Sequence, residues 1–195
     1  LACDVSVPEQ IEEVQDAIRE SAGTIHGLVH SLAFAPREAL QNAYLFTERE
    51  HFVTALEVSA YSLVALARAL TPVFSDKASI TTLTYYGSEK VMPSYNVMGV
   101  AKAALEASVR YLAHDLGPAG VRVNAISAGP INTVAARGVS GFLDILEVHA
   151  AKAPLKRTVE GREVGDTAAF LASDLSSGIT GEVIYVDTGY NIMGF

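Results

Sequence analysis

Residues 85–102 read Tyr85-Tyr-Gly-Ser-Glu-Lys-Val-Met-Pro-Ser-Tyr95-Asn-Val-Met98-Gly-Val-Ala-Lys102. The stretch starts as a strand exit, passes through a loop bearing Gly87 and Pro93, and enters a helix at Pro93 and Ser94. A helix starting near Tyr95 puts Tyr95 and Lys102, seven residues apart, on one face about 10 Å apart along the axis. Met98 lies between them on that side. A phenol and an ammonium on one face can cooperate, because a nearby positive charge favours phenolate and lowers the tyrosine pKa. The plain alternative is that Tyr95 and Met98 are core residues and that Lys102 carries its charge out to solvent. One such pair settles nothing, so the context has to decide.

Outward from this stretch, strand and helix patterns alternate. Upstream, 78–84 is β-rich, and Thr47-Glu-Arg-Glu50 reads as a capping box opening a long helix through Phe52, Leu56, Leu63, Leu66 and Leu70. The run 25–32 reads as a strand buried on both faces of a parallel sheet. Before it, Ser6 as cap, Pro8 in the first turn and Ile11, Val14 and Ile18 at helical spacing predict a helix ending at Gly23. Downstream, the helix from about Tyr95 stops at Gly117-Pro118, and 121–127 is the next strand. Residues 138–153 read as a mobile or lid-like helix, 160–172 as a further helix and 182–187 as a last strand. This order predicts right-handed βαβ crossovers and an α/β fold with a doubly wound parallel sheet. Ligands sit at the carboxyl ends of such strands. Asp4, the segment 31–35, Tyr85 and the loop 130–133 all gather at that edge.

The chain has 195 residues, half of them apolar, which suits one domain with a buried core. A formal charge of −8 without a long basic run argues against a nucleic-acid binder. The single cysteine, Cys3, forms no intrachain disulfide or structural zinc site and points to a reducing cytoplasm. The five histidines show no metal-ligand spacing, so no metal is assigned. The most apolar stretch, 61–74, contains Arg68 and Pro72 and reads as too short to span a bilayer. Leu1 in place of Met, with 1–5 reading as the end of a strand, predicts that the chain is truncated at its start.

Four motifs carry a resemblance: Tyr95-Asn-Val-Met-Gly-Val-Ala-Lys102, Arg122-Val-Asn-Ala-Ile-Ser-Ala-Gly-Pro-Ile131, Ser173-Asp-Leu-Ser-Ser-Gly-Ile-Thr-Gly181 and Tyr185-Val-Asp187. From end to end the chain resembles the short-chain dehydrogenase/reductase superfamily. Within it, the six-residue gap between Tyr95 and Lys102 is similar to that of the bacterial NADH-dependent enoyl-acyl-carrier-protein reductases. The resemblance implies a single Rossmann-type domain that lacks its first βαβ segment and Gly-rich loop, with 130–157 as substrate-binding loop or lid. Poor cofactor affinity is the consequence expected for these residues alone. The first strand of this sheet, an exposed edge or a partner for 1–5, is then 25–32.

The resemblance further implies that Tyr95 meets the thioester carbonyl, that Lys102 binds the nicotinamide ribose, and that Tyr85 is a second active-site tyrosine. It places Asp4 and Val5 beside the adenine, Ser31 and Leu32 along NADH, and Ile131, Asn132, Thr133, Val134 and Ala135 at the carboxamide and pyrophosphate. Ala35, Tyr85, Tyr95 and Met98 face the substrate, an enoyl group on acyl-carrier protein. Ser140, Leu143 and Asp144 stand where some relatives carry basic residues for that acidic partner, leaving Arg137, Lys152, Lys156 or Arg157 for docking. Tyr86, facing away from Tyr85 along an extended segment, is read as structural. The helices from Thr47 and Tyr95 build the interface of a homotetramer in such relatives. Two other readings stay open: a short-chain dehydrogenase acting on a carbonyl, and a non-catalytic dinucleotide-binding protein.

Overall fold

Four strands form one all-parallel sheet whose spatial order is its sequence order: β1 (Ile25–His30), β2 (Phe74–Thr84), β3 (Arg122–Ala128) and β4 (Val183–Val186). They belong to a computed structural model that describes residues 1–133 and 141–194. Helix α1 (Pro8–Ser21) precedes β1. The first crossover carries α2 (Arg37–Gln41), α3 (Arg49–Leu56) and α4 (Ser62–Leu70), the second α5 (Val97–Leu116), and the third α6 (Phe142–Lys152) and α7 (Gly161–Ala172).

The two-residue period of the strands sorts the core onto two faces. Ala78 and Ile80 of β2 and Val123 and Ala125 of β3 pack with Leu63 and Ala67 of α4 and Leu105 and Val109 of α5. Ile126 turns to the other face, against Val159 and Val164 and Leu171 of α7. Helices therefore cover both faces of the parallel sheet, as in Rossmann-type folds. Polar side chains within the sheet are spent on anchoring: Arg122 donates to Leu171 O and Ser176 Oγ (both 2.8 Å), and Asn124 donates to Ile179 O (2.9 Å) while accepting from Glu182 N. The Arg122-Val-Asn and 173–181 motifs are thus two halves of one clasp.

Several boundaries depart from the sequence reading. Strand β1 is not buried on both faces. It is the sheet edge, as the first of the two expectations for it had it, with Val29 61% exposed and His30 its one buried residue. Residues 1–5 form no strand; Asp4 accepts from Ser6 N and Oγ, and Ser6 does not cap α1, whose cap position is Val7. The Thr47 capping box does not form either. The helix begins at Arg49, Glu48 holds the cap position, and the buried Thr47 hydroxyl finds no partner among the described residues. From there α3 runs through a π turn (Glu57–Tyr61) into α4, one helix of Arg49–Val73 that is long and apolar enough to cross a bilayer. The stretch 61–74 is thus part of a longer apolar helix. Half of its apolar window is nevertheless buried within the fold, as in a core helix. Gly120, after α5, sits at φ +79°, and a Cβ there would collide with Asp76 O; this turn admits only glycine.

Candidate active site

At the carboxyl edge, β1 runs out into 31–35, β2 into Tyr85, β3 into 129–133 and β4 into Asp187. Tyr95 reaches this edge from a turn, not from the helix. Helix α5 begins at Val97, and the residues flanking Tyr95, Ser94 (φ 63°) and Asn96 (φ 45°), both have positive φ. Such conformations cost non-glycine residues on the order of 1 kcal/mol or more each and persist only where surroundings impose them. Here the Asn96 amide donates to Asn42 O (2.8 Å) and Leu40 O (3.1 Å), binding the turn to the end of α2. Met98 N and Gly99 N close onto Tyr95 O and Asn96 O (3.0 Å each). The same-face argument from seven-residue spacing therefore does not describe Tyr95 and Lys102.

What the turn achieves is a packed pair of phenols. The rings of Tyr85 and Tyr95 meet edge to face with centroids 5.0 Å apart and planes at 76°. Two glycines make room. A Cβ at Gly87 would lie 2.5 Å from Tyr95 Cδ1 and 3.2 Å from Tyr85 Cδ1, and one at Gly99 would lie 2.6 Å from Gly87 O. Neither glycine was singled out from sequence for this role, because a glycine in a loop looks like a turn residue. Gly87→Ala is expected to displace both rings and lower turnover by about 10- to 100-fold, the scale of small misplacements at a reacting centre. Cofactor affinity should stay near wild type; steady-state kinetics beside a binding titration check this.

Burial sets the charge state of both phenols. It pushes Tyr85 up to about 12, with a smaller contribution from Tyr190. Tyr95 is also raised, first by burial and then by Tyr85 and Glu106. The sequence reading had Lys102 lowering the Tyr95 pKa; the shift is upward instead, with burial its first cause, and both side chains are un-ionised proton donors at neutral pH. Lys102 is itself buried, 6% exposed, and donates to Leu83 O at 2.8 Å. Burial lowers its pKa to about 8 against the opposing pull of Glu106.

Behind Lys102 and Met98 lies a polar layer that the sequence did not announce. Ser59, on the π turn, accepts from Phe34 N (2.9 Å), sits 3.0 Å from Phe34 O, and lies 3.7 Å from Met98 Sδ. The loop after β1 is thereby pinned to the helix at its one irregular turn, the kind of defect that recurs at functional sites. Below it, His30 is held at both ring nitrogens, Nε2 to Ser62 Oγ and Nδ1 to Thr82 Oγ1 (2.8 Å each), and the two hydroxyls also reach the carbonyls of Val58 (2.7 Å) and His30 (3.2 Å). Burial and the nearby Lys102 charge lower His30 to about 4, which keeps it neutral.

The remaining sequence-predicted residues fall as follows. Ser31 is exposed and Leu32 half-buried; Ala35 packs against the cluster of Ala39, Ala55 and Val97. Asp4 is exposed, with its N–H held by Gln10 Oε1 (2.7 Å), while Val5 packs against Ile11, Ala65 and Leu66. Ile131 packs against the face covered by α7, and Asn132 and Thr133 are exposed. Val134 and Ala135 lie outside the described residues, as do Arg137, Ser140 and the start of the 138–153 segment. Tyr86 stands edge to face with both Tyr185 and Tyr190. Among the candidate docking cations, Arg157 is engaged with both carboxylate oxygens of Glu163 (2.8 and 2.6 Å) and Lys156 with Ala151 O.

A buried lysine and a tyrosine pair stand at the carboxyl edge of a parallel α/β sheet, where such folds bind ligands, and match the motif by which the sequence resembles the short-chain dehydrogenase/reductases. The chain belongs to the enoyl-(acyl carrier protein) reductase family, whose sequence profile matches residues 1–191. It is 53% identical to an NADH enoyl-acyl-carrier-protein reductase of Bacillus cereus, covering all of this chain and 76% of that protein. Its counterpart from Nostoc is 55% identical, with 100% and 75% covered. Among solved structures, the Bacillus cereus enzyme with NADP+ and indole naphthyridinone superposes with a TM-score of 0.98 at 52% identity, covering 100% of this chain and 76% of that one. The Aquifex aeolicus enzyme gives 0.96 at 48% identity, with 99% and 76% covered.

Proposed function

We propose that this protein reduces the trans-2 double bond of enoyl groups on acyl-carrier protein, with NADH, in fatty-acid elongation. The observation that carries the reading is the Tyr85–Tyr95 pair: two un-ionised phenols, seated by Gly87, at the same sheet edge as a buried lysine anchored to Leu83 O. Relatives named for this activity at 50–55% identity support it.

The residues fit a nicotinamide dinucleotide. Lys102 is a buried ammonium with three N–H donors, one of them taken by Leu83 O, which suits it to the vicinal hydroxyls of a ribose. NADH, when bound, supplies the hydride that reaches the β-carbon of the enoyl thioester. Charge then develops on the thioester carbonyl oxygen as an enolate, and the Tyr95 phenol donates a hydrogen bond to that oxygen from a half-buried position where the bond is strong. Tyr85 fixes the Tyr95 ring and shields it from water. Asp4 and Val5 would lie beside the adenine, and Ser31 and Leu32 along the dinucleotide. Ile131, Asn132, Thr133, Val134 and Ala135 would line the carboxamide and pyrophosphate. Ala35 and Met98 would line the acyl group, with 130–157 closing over it. The single free cysteine fits a soluble cytoplasmic protein, and the exposed Val53, Tyr61 and Tyr111 on α3, the π turn and α5 fit a homotetramer built on those helices.

The test follows NADH absorbance with a trans-2-enoyl thioester and, in parallel, with a 3-oxoacyl thioester. It uses the 195-residue chain and the same chain extended by whatever its gene encodes upstream. Reduction of the enoyl substrate alone supports the reading. Reduction of the oxo substrate alone would assign a carbonyl reductase, and NADH binding with neither turnover would assign a binding protein.

A further inference from the structure

Glu106 is a buried carboxylate, 8% exposed, that the proposed chemistry leaves unused. It lies one helical turn beyond Lys102 on α5, and a residue at i+4 shares that face. Burying a carboxylate costs several kcal/mol unless it is hydrogen-bonded and near opposite charge. Both compensations occur here. Thr84 Oγ1 donates to Glu106 Oε1 at 2.6 Å, and the neighbouring strand residue, Leu83, takes the Lys102 ammonium at 2.8 Å. The last two residues of β2 thus hold the acid and the base apart at fixed positions, immediately before Tyr85. No direct Lys102–Glu106 ion pair occurs among the described residues. A direct pair would occupy the ammonium; a carboxylate one step back lends its field and leaves the N–H donors to other partners.

We propose that Glu106 is a positioning residue for Lys102: its carboxylate, fixed by Thr84, keeps the lysine an ammonium inside a desolvated site so that it can engage the dinucleotide. This rests on the reductase reading for the identity of the dinucleotide, but the field argument concerns residues of this chain alone. The opposing influences on Lys102 are consistent with it, since burial lowers its pKa to about 8 and Glu106 pulls it upward. Other groups around the lysine do not titrate in the same range. His30 from β1 is neutral above about 4, Tyr85 after β2 sits near 12, and Tyr95 and Tyr185 are raised, the latter bonded to Glu89.

The experiment measures NADH affinity by fluorescence from pH 6.5 to 9.5 in the full-length protein, its Glu106→Gln variant and its Thr84→Val variant, with enoyl-thioester turnover recorded alongside. Wild-type affinity should fall as pH rises through about 8. Glu106→Gln keeps an oxygen for Thr84 but loses the charge, so the midpoint of that fall should move down by about one pH unit, weakening binding at pH 8 by about fivefold. Thr84→Val removes the hydrogen bond that fixes the carboxylate but keeps its charge, so its midpoint should move in the same direction as that of Glu106→Gln and by less. A Glu106→Gln midpoint equal to wild type, with only thermal stability changed, would reduce Glu106 to a structural acid and overturn the proposal. If Glu106→Gln fails to fold, Glu106→Met, neutral and of similar volume, reads the same midpoint. Wild-type protein that binds NADH but turns over no enoyl thioester would remove the reductase reading and leave the midpoint comparison intact.

Discussion

Tyr95→Phe should lower turnover of a trans-2-enoyl thioester by about 10²- to 10³-fold, the cost of removing one donor from a developing oxyanion. NADH affinity should remain within about twofold of wild type, because the substitution leaves untouched the carbonyl-anchored Lys102 and removes no charge. The ring itself stays. Phenylalanine can keep the edge-to-face contact with Tyr85 and the seat over Gly87, so the loss reads on the hydroxyl and not on packing. Among the described residues the nearest phenol, Tyr85, packs ring to ring at 5.0 Å and does not stand in the same place. With the Tyr95 pKa raised by burial, the deficit should be the same from pH 6 to 8. Steady-state kinetics on the purified variant decide it, and a kcat within threefold of wild type would mean that the phenol is not the proton donor.

Much of the fold is legible because its signals are local. The β-rich runs ending at Thr84 and Ser127 and the helices closed by Gly23 and Gly117-Pro118 carry their own punctuation, and each element was found within a few residues. The misreadings share a different cause, which is that distant partners decide them. Pro93-Ser94 looks like a helix entry, yet Asn96 is held in a positive-φ turn by carbonyls at the end of α2, a five-residue helix with no periodicity to detect. Thr47-Glu-Arg-Glu50 spells a capping box, but tertiary packing buries Thr47 and moves the start to Arg49. β1 reads as covered on both faces because Val29 and Leu28 are apolar, and how far its faces are covered depends on elements distant in sequence.

The site divides in the same way. Tyr85, Tyr95 and Lys102 stood out by residue type and spacing, whereas their environment did not. The sign of the Tyr95 pKa shift turns on burial, which no spacing reports. Gly87 and Gly99 matter through what a side chain would strike, and Ser59 through a π turn for which the surrounding apolar pattern gives no sign. Residue types chosen for chemistry are legible one at a time; the packing that tunes them is a property of the whole sheet edge.

Lys102 shows what that tuning costs, and Lys102→Met should separate the cost from the use. Activity should fall by at least about 10²-fold, and NADH affinity by about 10- to 100-fold, the equivalent of losing charge-assisted hydrogen bonds worth roughly 1.5–3 kcal/mol. Stability of the cofactor-free protein should move the other way. The lysine is 6% exposed and its pKa falls from 10.5 to about 8, so at pH 7 the folded state holds a charge that the unfolded state solvates better. That difference amounts to about 3 kcal/mol, at 1.36 kcal/mol per pH unit. Methionine removes it but leaves Leu83 O without its donor, so the net gain is of order 1 kcal/mol. The linkage gives the sign. Between pH 8 and 10 the unfolded chain holds more protons on this lysine than the folded chain does, so wild-type stability rises with pH. Above about 10 the buried phenols oppose it, since Tyr85 and Tyr95 keep protons that the unfolded chain has released. Urea midpoints at pH 7, 8, 9 and 10 for wild type and Lys102→Met isolate the lysine, because everything else titrates alike in both. The lysine's cost falls from about 3 kcal/mol at pH 7 to about 1 kcal/mol at pH 10 while the cost of the unpaired Leu83 O stays fixed, so the expected result is a gap that closes near pH 9 and reverses by pH 10. A constant gap would show that Lys102 titrates normally and that the site spends no stability on holding its charge.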